Sequence, residues 1–211
     1  MKKSRKVWIP AVVAGTVALL LLAYYYFWAN AGGEGRRPPL PDGVRPPRDE
    51  GGNLGDWFTT IGTVALYLAA AGFSWFWFKK KLKSPSIWVR RLGKLLYAAH
   101  KPLGWATLAA IVLHGGYFLL YKSGDRNIYS GLAGFALLLA IVGYGVLINK
   151  VRNRWMRLVH RTLGVAWVPV MFVHAGGSAI IATLACAGVW ILIGLLEKMV
   201  AQPEGTIPES L

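Results

Sequence analysis

The chain has 211 residues, of which 55% are hydrophobic, and its mean hydropathy of +0.43 is too high for an ordinary soluble domain. Its net charge of +15 would suggest a nucleic-acid partner in a soluble protein, but here the basic residues lie between long apolar runs. That distribution is typical of membrane-protein loops, so we expect membrane lipid and no nucleic acid as a partner. The single cysteine, Cys186, excludes a disulfide framework and a cysteine metal cluster.

The first apolar run, residues 7–28, follows a basic N-terminus and ends in five aromatic residues. These flanks are typical of a transmembrane helix. A secretory signal peptide is the rival interpretation, because Ala29-Asn30-Ala31 resembles a cleavage site, but the run is long and ends in bulky residues. We therefore predict a retained helix. It forms a first region, 1–56, with an irregular external loop that is rich in Gly and Pro.

Five more apolar runs predict five more spans, at 57–78, about 95–121, about 128–148, about 159–176 and about 179–196. The predicted fold class is therefore all-α, a polytopic membrane bundle of six transmembrane helices. Its core would be 57–197, followed by a cytoplasmic tail at 198–211. The fourth span contains four glycines, which we expect to allow close helix approach: Gly131, Gly134, Gly143 and Gly145.

The distribution of charge predicts the orientation of the bundle. With six spans, both termini share one side with the second-to-third and fourth-to-fifth loops, and that side holds 18 of the 24 Lys and Arg residues. The positive-inside rule makes it cytoplasmic. We therefore expect a multi-pass protein of the plasma membrane with both termini in the cytoplasm. Spans three and five would then run parallel, from inside to outside.

The only four histidines lie on spans three and five. A shared motif, His-(Lys/Arg)-x-Leu-Gly, begins at His100 and at His160, and a second histidine follows fourteen residues later, at His114 and at His174. At about 100° and 1.5 Å per residue, both histidines of a helix share one face and lie about 21 Å apart. Parallel helices would pair His100 with His160 near the cytoplasm and His114 with His174 nearer the outside.

Four interpretations of these histidines differ in the ligands they need. A lone histidine in an apolar helix is often a packing residue, but ionisable groups inside membranes usually mark function. A proton relay normally uses carboxylates as well, and the predicted spans three to six contain none. Zinc normally takes four ligands, whereas each layer offers two. Haem iron needs only two axial ligands, so the sequence favours two haem b groups, one per pair.

Glycines on the histidine face would let a flat ring approach the helix backbone. Gly104 and Gly164 lie four residues after His100 and His160, on the same face, and have this predicted role. The glycines beside the second histidine of each helix fit this role and helix packing equally well: Gly115, Gly116, Gly176 and Gly177. Pro169 is expected to kink span five, and Pro102 to mark where span three bends or enters the bilayer.

Trp167 lies midway between His160 and His174 on their face, and Thr107 holds the equivalent place in span three. We expect Trp167 to contact haem, either filling the space between the two cofactors or relaying electrons. Haem propionates favour cationic or polar partners. The candidates are Arg161, Lys101, Arg154 and Arg157 on the inner side and Lys122 and Arg126 on the outer side, each of which could equally be a topology charge.

These features resemble the ferric reductase-like transmembrane domain, the haem core of ferric reductases and NADPH oxidases. The resemblance covers about residues 57–197 and rests on the six spans, the four histidines and the His-Arg-x-Leu-Gly start of span five. It implies two b-type haems that pass electrons across the membrane. Many members continue into a flavin and nicotinamide domain, whereas this chain has only a short tail. We therefore expect a separate electron donor, either a flavoprotein or a membrane quinol.

The leading hypothesis is a di-haem b-type membrane cytochrome, an oxidoreductase component that moves electrons to an external redox partner or an acceptor such as Fe(III). With two histidines per iron, this transfer would be outer-sphere. One alternative is an electron-transfer subunit of a larger quinone-linked complex. The alternative from another class is a cofactor-free membrane transporter or scaffold.

Overall fold

The computed structural model describes residues 7–31, 52–122, 127–151 and 154–201. These ranges form six α-helices and a 3₁₀ helix, Lys79–Lys83: α1 Ile9–Ala31, α2 Gly52–Phe78, α3 Ile87–Tyr121, α4 Ile128–Val151, α5 Arg154–Ala175 and α6 Gly177–Ala201. All six α-helices are long and apolar enough to cross a membrane. The predicted all-α bundle of six spans is confirmed, and the chain is a multi-pass membrane protein. Residues 32–51 of the predicted loop and 202–211 of the predicted tail lie outside the described ranges.

α3 is longer than the sequence predicted. It begins at Ile87 instead of about 95 and runs through Pro102 without interruption. Arg90, Arg91 and Lys94 lower the hydropathy of this stretch, but Arg and Lys are good helix formers, so the helix continues beyond its apolar part. Its 35 residues extend about 52 Å, against a hydrocarbon core of about 30 Å. Part of α3 therefore extends beyond the hydrocarbon core, and the expected bend or bilayer entry at Pro102 stays a prediction.

Two helix pairs form the centre of the bundle. α2 packs most extensively on α3 and α4 on α5, while α1 lies against α4 and α6 lies mainly against α2. Within the described ranges, the backbones of α3 and α5 barely approach each other. The bundle is therefore built from two hairpin-like halves, α2–α3 and α4–α5.

Glycines of α4 allow the close approaches that the sequence predicted. Gly143 faces α1, where an added Cβ would lie 2.9 Å from Pro10 Cβ. Gly134 faces α5, where an added Cβ would collide with the end of Met171. Because glycine has no side chain, Pro10 and Met171 can approach α4 closely, and the packing role of Gly143 and Gly134 is confirmed.

Gly176 makes the tight turn between α5 and α6. Its φ of +53° is in the left-handed region, which favours glycine. Its N–H donates to Phe172 O at 3.1 Å, and its carbonyl accepts from the N–H groups of Ala179 and Ile180. α6 therefore begins immediately after the turn, at Gly177, two residues before the predicted start.

Met156 of α5 is fully buried, in a cluster with Ala14 of α1 and with Ala140 and Tyr144 of α4. We predict that Met156→Ala destabilises the protein by about 2–5 kcal/mol, because the cavity removes packing contacts on three helices. Thermal unfolding of the detergent-solubilised protein measures this change. Met199→Ala, at a position that is 72% exposed, is the matched control and should stay within about 0.5 kcal/mol of the parent. Equal losses in the two variants would contradict the buried position of Met156.

Candidate cofactor site at two histidine pairs

The four histidines face one another in two pairs. The ring centroids of His100 and His160 are 6.0 Å apart and the rings are inclined at 89°. Those of His114 and His174 are 6.3 Å apart, with an angle of 83°. Since the earlier histidine of α3 faces the earlier histidine of α5, the two helices run parallel. The rings are thus paired as the sequence predicted, and their role as metal ligands stays a prediction.

Hydrogen bonds to the neighbouring helix fix the orientation of three rings. Each places Nδ1 against a backbone carbonyl of the helix paired with its own: His100 with Gly72 at 2.9 Å, His114 with Phe58 at 2.7 Å and His160 with Ile141 at 2.8 Å. A carbonyl oxygen only accepts, so Nδ1 must carry the hydrogen. In a neutral imidazole, Nε2 then carries the lone pair that a metal would bind.

His174 is supported differently. Its Nδ1 lies 3.2 Å from Ser130 Oγ, and the Ser130 hydroxyl donates to Asn127 O at 2.9 Å. Because the single hydroxyl hydrogen is used in that bond, Nδ1 of His174 is the donor to Ser130. All four rings therefore take the same tautomer, with Nε2 as the metal-binding nitrogen.

Each ring also lies beside a glycine of its supporting helix. The distances from an added Cβ to the nearest ring atom are 2.6 Å at Gly62 for His114, 2.9 Å at Gly131 for His174, 3.3 Å at Gly145 for His160 and 3.9 Å at Gly72 for His100. A larger residue at position 62 or 131 would therefore displace an imidazole. The sequence reasoning missed these roles, although Gly131 and Gly145 are fourteen residues apart, like the histidines of a helix.

The glycines predicted to face a flat ring differ in their surroundings. An added Cβ at Gly104 would meet nothing within 4 Å, and at Gly164 it would meet only the ring of Phe73, at 3.8 Å. Among the described residues, an added Cβ would also meet nothing within 4 Å at the four glycines near the second histidines: Gly115, Gly116, Gly176 and Gly177. Both predicted roles of these four glycines, ring approach and helix packing, stay predictions. The open space beside Gly104 is what a flat ring would require, whereas at Gly164 the ring of Phe73 lies at van der Waals distance.

Trp167 and Thr107 are both buried, at 8% and 1% exposure. The indole N–H of Trp167 donates to Gly134 O of α4 at 3.0 Å, and its ring packs with Leu66 and Met171. Thr107 donates to Leu103 O, one turn back in its own helix. Trp167 is thus held rigidly at the depth between the two pairs, and its predicted contact with a cofactor stays a prediction.

The candidate cations surround the ends of the bundle. Arg161 is exposed, and its guanidinium lies 5.1 Å from the ring centroid of Phe76 in α2. Lys101 and Arg157 are also exposed, and Arg154 lies over Trp155. Lys122 lies beside α2, where its Nζ would be 3.4 Å from a Cβ added at Gly55. Arg126 lies outside the described residues. The role of these cations as partners of haem propionates stays a prediction.

The donor set consists of nitrogen pairs. Within the described ranges, no three His, Cys, Asp or Glu side chains come together. A zinc ion normally takes four protein or water ligands in a tetrahedral arrangement, so a pair of imidazoles suits it poorly. Two imidazoles suit an iron that receives its other four ligands from a macrocycle.

Comparisons with protein-family models, with curated proteins and with solved structures gave no match. The resemblance to the ferric reductase-like domain therefore rests on the motif and the span layout alone.

We predict that Gly62→Ala lowers the stability of the bundle, because the new Cβ would lie 2.6 Å from the His114 ring and would break its bond to Phe58 O. The expected cost is about 1–3 kcal/mol, the usual cost of an unpaired buried donor. Thermal unfolding measures it. Gly188→Ala is the matched control, because a Cβ there meets nothing within 4 Å and alanine favours the helix. A Gly62→Ala protein as stable as the control would contradict the close contact with His114.

Proposed function

We propose that the chain is a di-haem b-type membrane cytochrome in which His100 with His160, and His114 with His174, are the axial ligands of two haem b groups. The observation that carries the proposal is the geometry of the pairs. Two imidazoles face each other at 6.0 Å in one pair and 6.3 Å in the other. In both pairs the Nδ1 atoms are turned to the supporting helices.

The separation of the rings fits an iron atom between them. A metal–nitrogen bond of about 2 Å on each side, plus about 1 Å from each nitrogen to its ring centroid, puts two trans imidazoles roughly 6 Å apart. Hydrogen bonds from the far ring nitrogen are the usual second-shell support for a metal-bound histidine. The open space beside Gly104 would receive the edge of a macrocycle.

Bound haem would supply a one-electron change between Fe(III) and Fe(II). The protein residues would hold it without an open coordination position, so transfer to a partner would be outer-sphere. Fourteen residues of helix put the two pairs about 21 Å apart along the bundle. The buried Trp167 lies between them in depth, which supports its proposed place between the cofactors.

The charge of the bundle supports a direction and a type of partner. The connection from α2 to α3 and the first turns of α3, at the end where His100 and His160 lie, carry exposed cations: Lys79, Lys80, Lys83, Arg91 and Lys94. By the positive-inside rule this end would be cytoplasmic, in a plasma membrane. The same cations would steer an acidic flavoprotein donor, with a membrane quinol as the other candidate donor. The acceptor, such as Fe(III), would then meet the His114/His174 end, which makes the chain an oxidoreductase component.

We predict that the purified protein contains two haem b groups per chain. Dithionite reduction should give a b-type α band, and pyridine extraction should quantify the haem. A double variant, His100→Ala with His174→Ala, removes one ligand from each pair and is the control, since it should lose both low-spin spectra. Folded parent protein, expressed with sufficient haem, that shows no α band and yields no haem would refute the proposal.

Single variants test the pairing. We predict that His114→Ala or His174→Ala removes one haem and leaves most of the other, because each pair forms a separate site about 21 Å from the next. His100→Ala and His160→Ala should remove the other haem. The measurement is the haem content of each variant together with the reduction potential of the haem that stays. Equal loss of both haems from any one variant, in protein that elutes as a folded species, would count against two separate sites.

A further inference from the structure

The helices that support the histidine rings, α2 and α4, place their accepting carbonyls at a matching spacing. In α2 the carbonyls of Phe58 and Gly72, which hold the rings of α3, are fourteen residues apart, as the histidines are. In α4, Ile141 supplies one carbonyl for α5, and the residue fourteen positions before it is Asn127. Asn127 O is thus the counterpart of Phe58 O.

The glycines support the same correspondence. Gly62 lies four residues after Phe58 and meets His114, and Gly131 lies four residues after Asn127 and meets His174. The two halves of the bundle thus present the same arrangement of carbonyl and glycine to their second histidine. They differ in one respect, because Nδ1 of His174 is bonded to the Ser130 hydroxyl.

The Ser130 hydroxyl lies between the His174 ring and the Asn127 carbonyl. His174 Nδ1–H donates to Ser130 Oγ over 3.2 Å, and the Ser130 hydroxyl donates to Asn127 O over 2.9 Å. Asn127 O also accepts the backbone N–H of Gly131, as the first carbonyl of α4. The other three rings donate to a backbone carbonyl directly, over 2.7–2.9 Å. His174 is linked to its carbonyl through the Ser130 hydroxyl, and its own bond to that hydroxyl is longer, at 3.2 Å.

We propose that Ser130 is a positioning residue that holds His174 in its metal-binding tautomer and sets, through that ring, the reduction potential of the His114/His174 site alone. The proposal rests on the haem function proposed above. A hydrogen bond from Nδ1–H raises the basicity of the metal-bound nitrogen, and a more basic ligand stabilises the more highly charged Fe(III). Loss of the hydroxyl should therefore favour Fe(II) and raise the potential of this site.

The test is a redox titration of the complete protein, followed at the α band and fitted to two one-electron steps. In Ser130→Ala we expect the midpoint potential of one step to rise by about 59 mV, which corresponds to about a tenfold higher Fe(II)/Fe(III) ratio for one electron. The midpoint potential of the other step should not change and serves as an internal control. Ser130→Thr keeps the hydroxyl and should restore the parent value. Thr60→Ala is the matched control, because the exposed Thr60 also donates to a backbone carbonyl, that of Asp56 in α2.

A purely structural role for Ser130, as a local bond at the start of α4, would lower the unfolding temperature without moving one potential alone. Unchanged potentials in Ser130→Ala, in protein with two haems, would overturn the proposal for Ser130 and leave the haem proposal standing. Parent protein without haem would overturn both. If Ser130→Ala loses the His114/His174 haem, Ser130→Thr decides the matter: retention supports the positioning role, and loss in both variants overturns it.

Discussion

A histidine inside an apolar bundle must have a partner for one ring nitrogen if the other is to bind a ligand, and the rest of this structure depends on that constraint. An unpaired buried N–H costs about 1–3 kcal/mol. Carbonyls of regular helices are normally used within the helix, yet α2 and α4 approach closely enough for Gly72 O and Ile141 O to accept from a ring as well. Glycine beside the rings permits this approach. The helices that carry no histidine thus determine how the histidines are oriented.

This constraint explains why the bundle consists of two similar halves. Each half joins a histidine helix to a helix that supports it, and the halves meet through facing rings while the backbones of α3 and α5 barely approach each other. The region between the halves is filled at mid-depth by a cluster around Trp167 and Met171. α1 packs on α4, and α6 packs mainly on α2 while its Ala179 and Ala182 join the cluster around Trp167. The result is two nitrogen pairs at two depths, separated by a rigid, apolar layer.

Much of this arrangement could be predicted from the sequence, because hydropathy reports spans and a fourteen-residue spacing reports a shared helix face. The parallel direction of α3 and α5 followed from counting spans. The supporting groups could not be predicted in the same way, since a carbonyl such as Phe58 O has no side-chain signature. Which glycine meets a ring depends on the rotation of two helices about their axes, so Gly62 was missed and Gly115 was left between two interpretations. The start of α3 was misplaced because basic residues lower hydropathy without ending a helix.

Electron paramagnetic resonance of the oxidised protein tests the central claim most directly, because it reports the axial ligands of iron and the angle between their planes. Low-spin Fe(III) between two perpendicular imidazoles gives a strongly anisotropic signal, whereas parallel imidazoles give a rhombic one. With ring angles of 89° and 83°, the account predicts two strongly anisotropic low-spin signals. High-spin iron with an open coordination position, or the absence of any haem signal from folded protein, would contradict it.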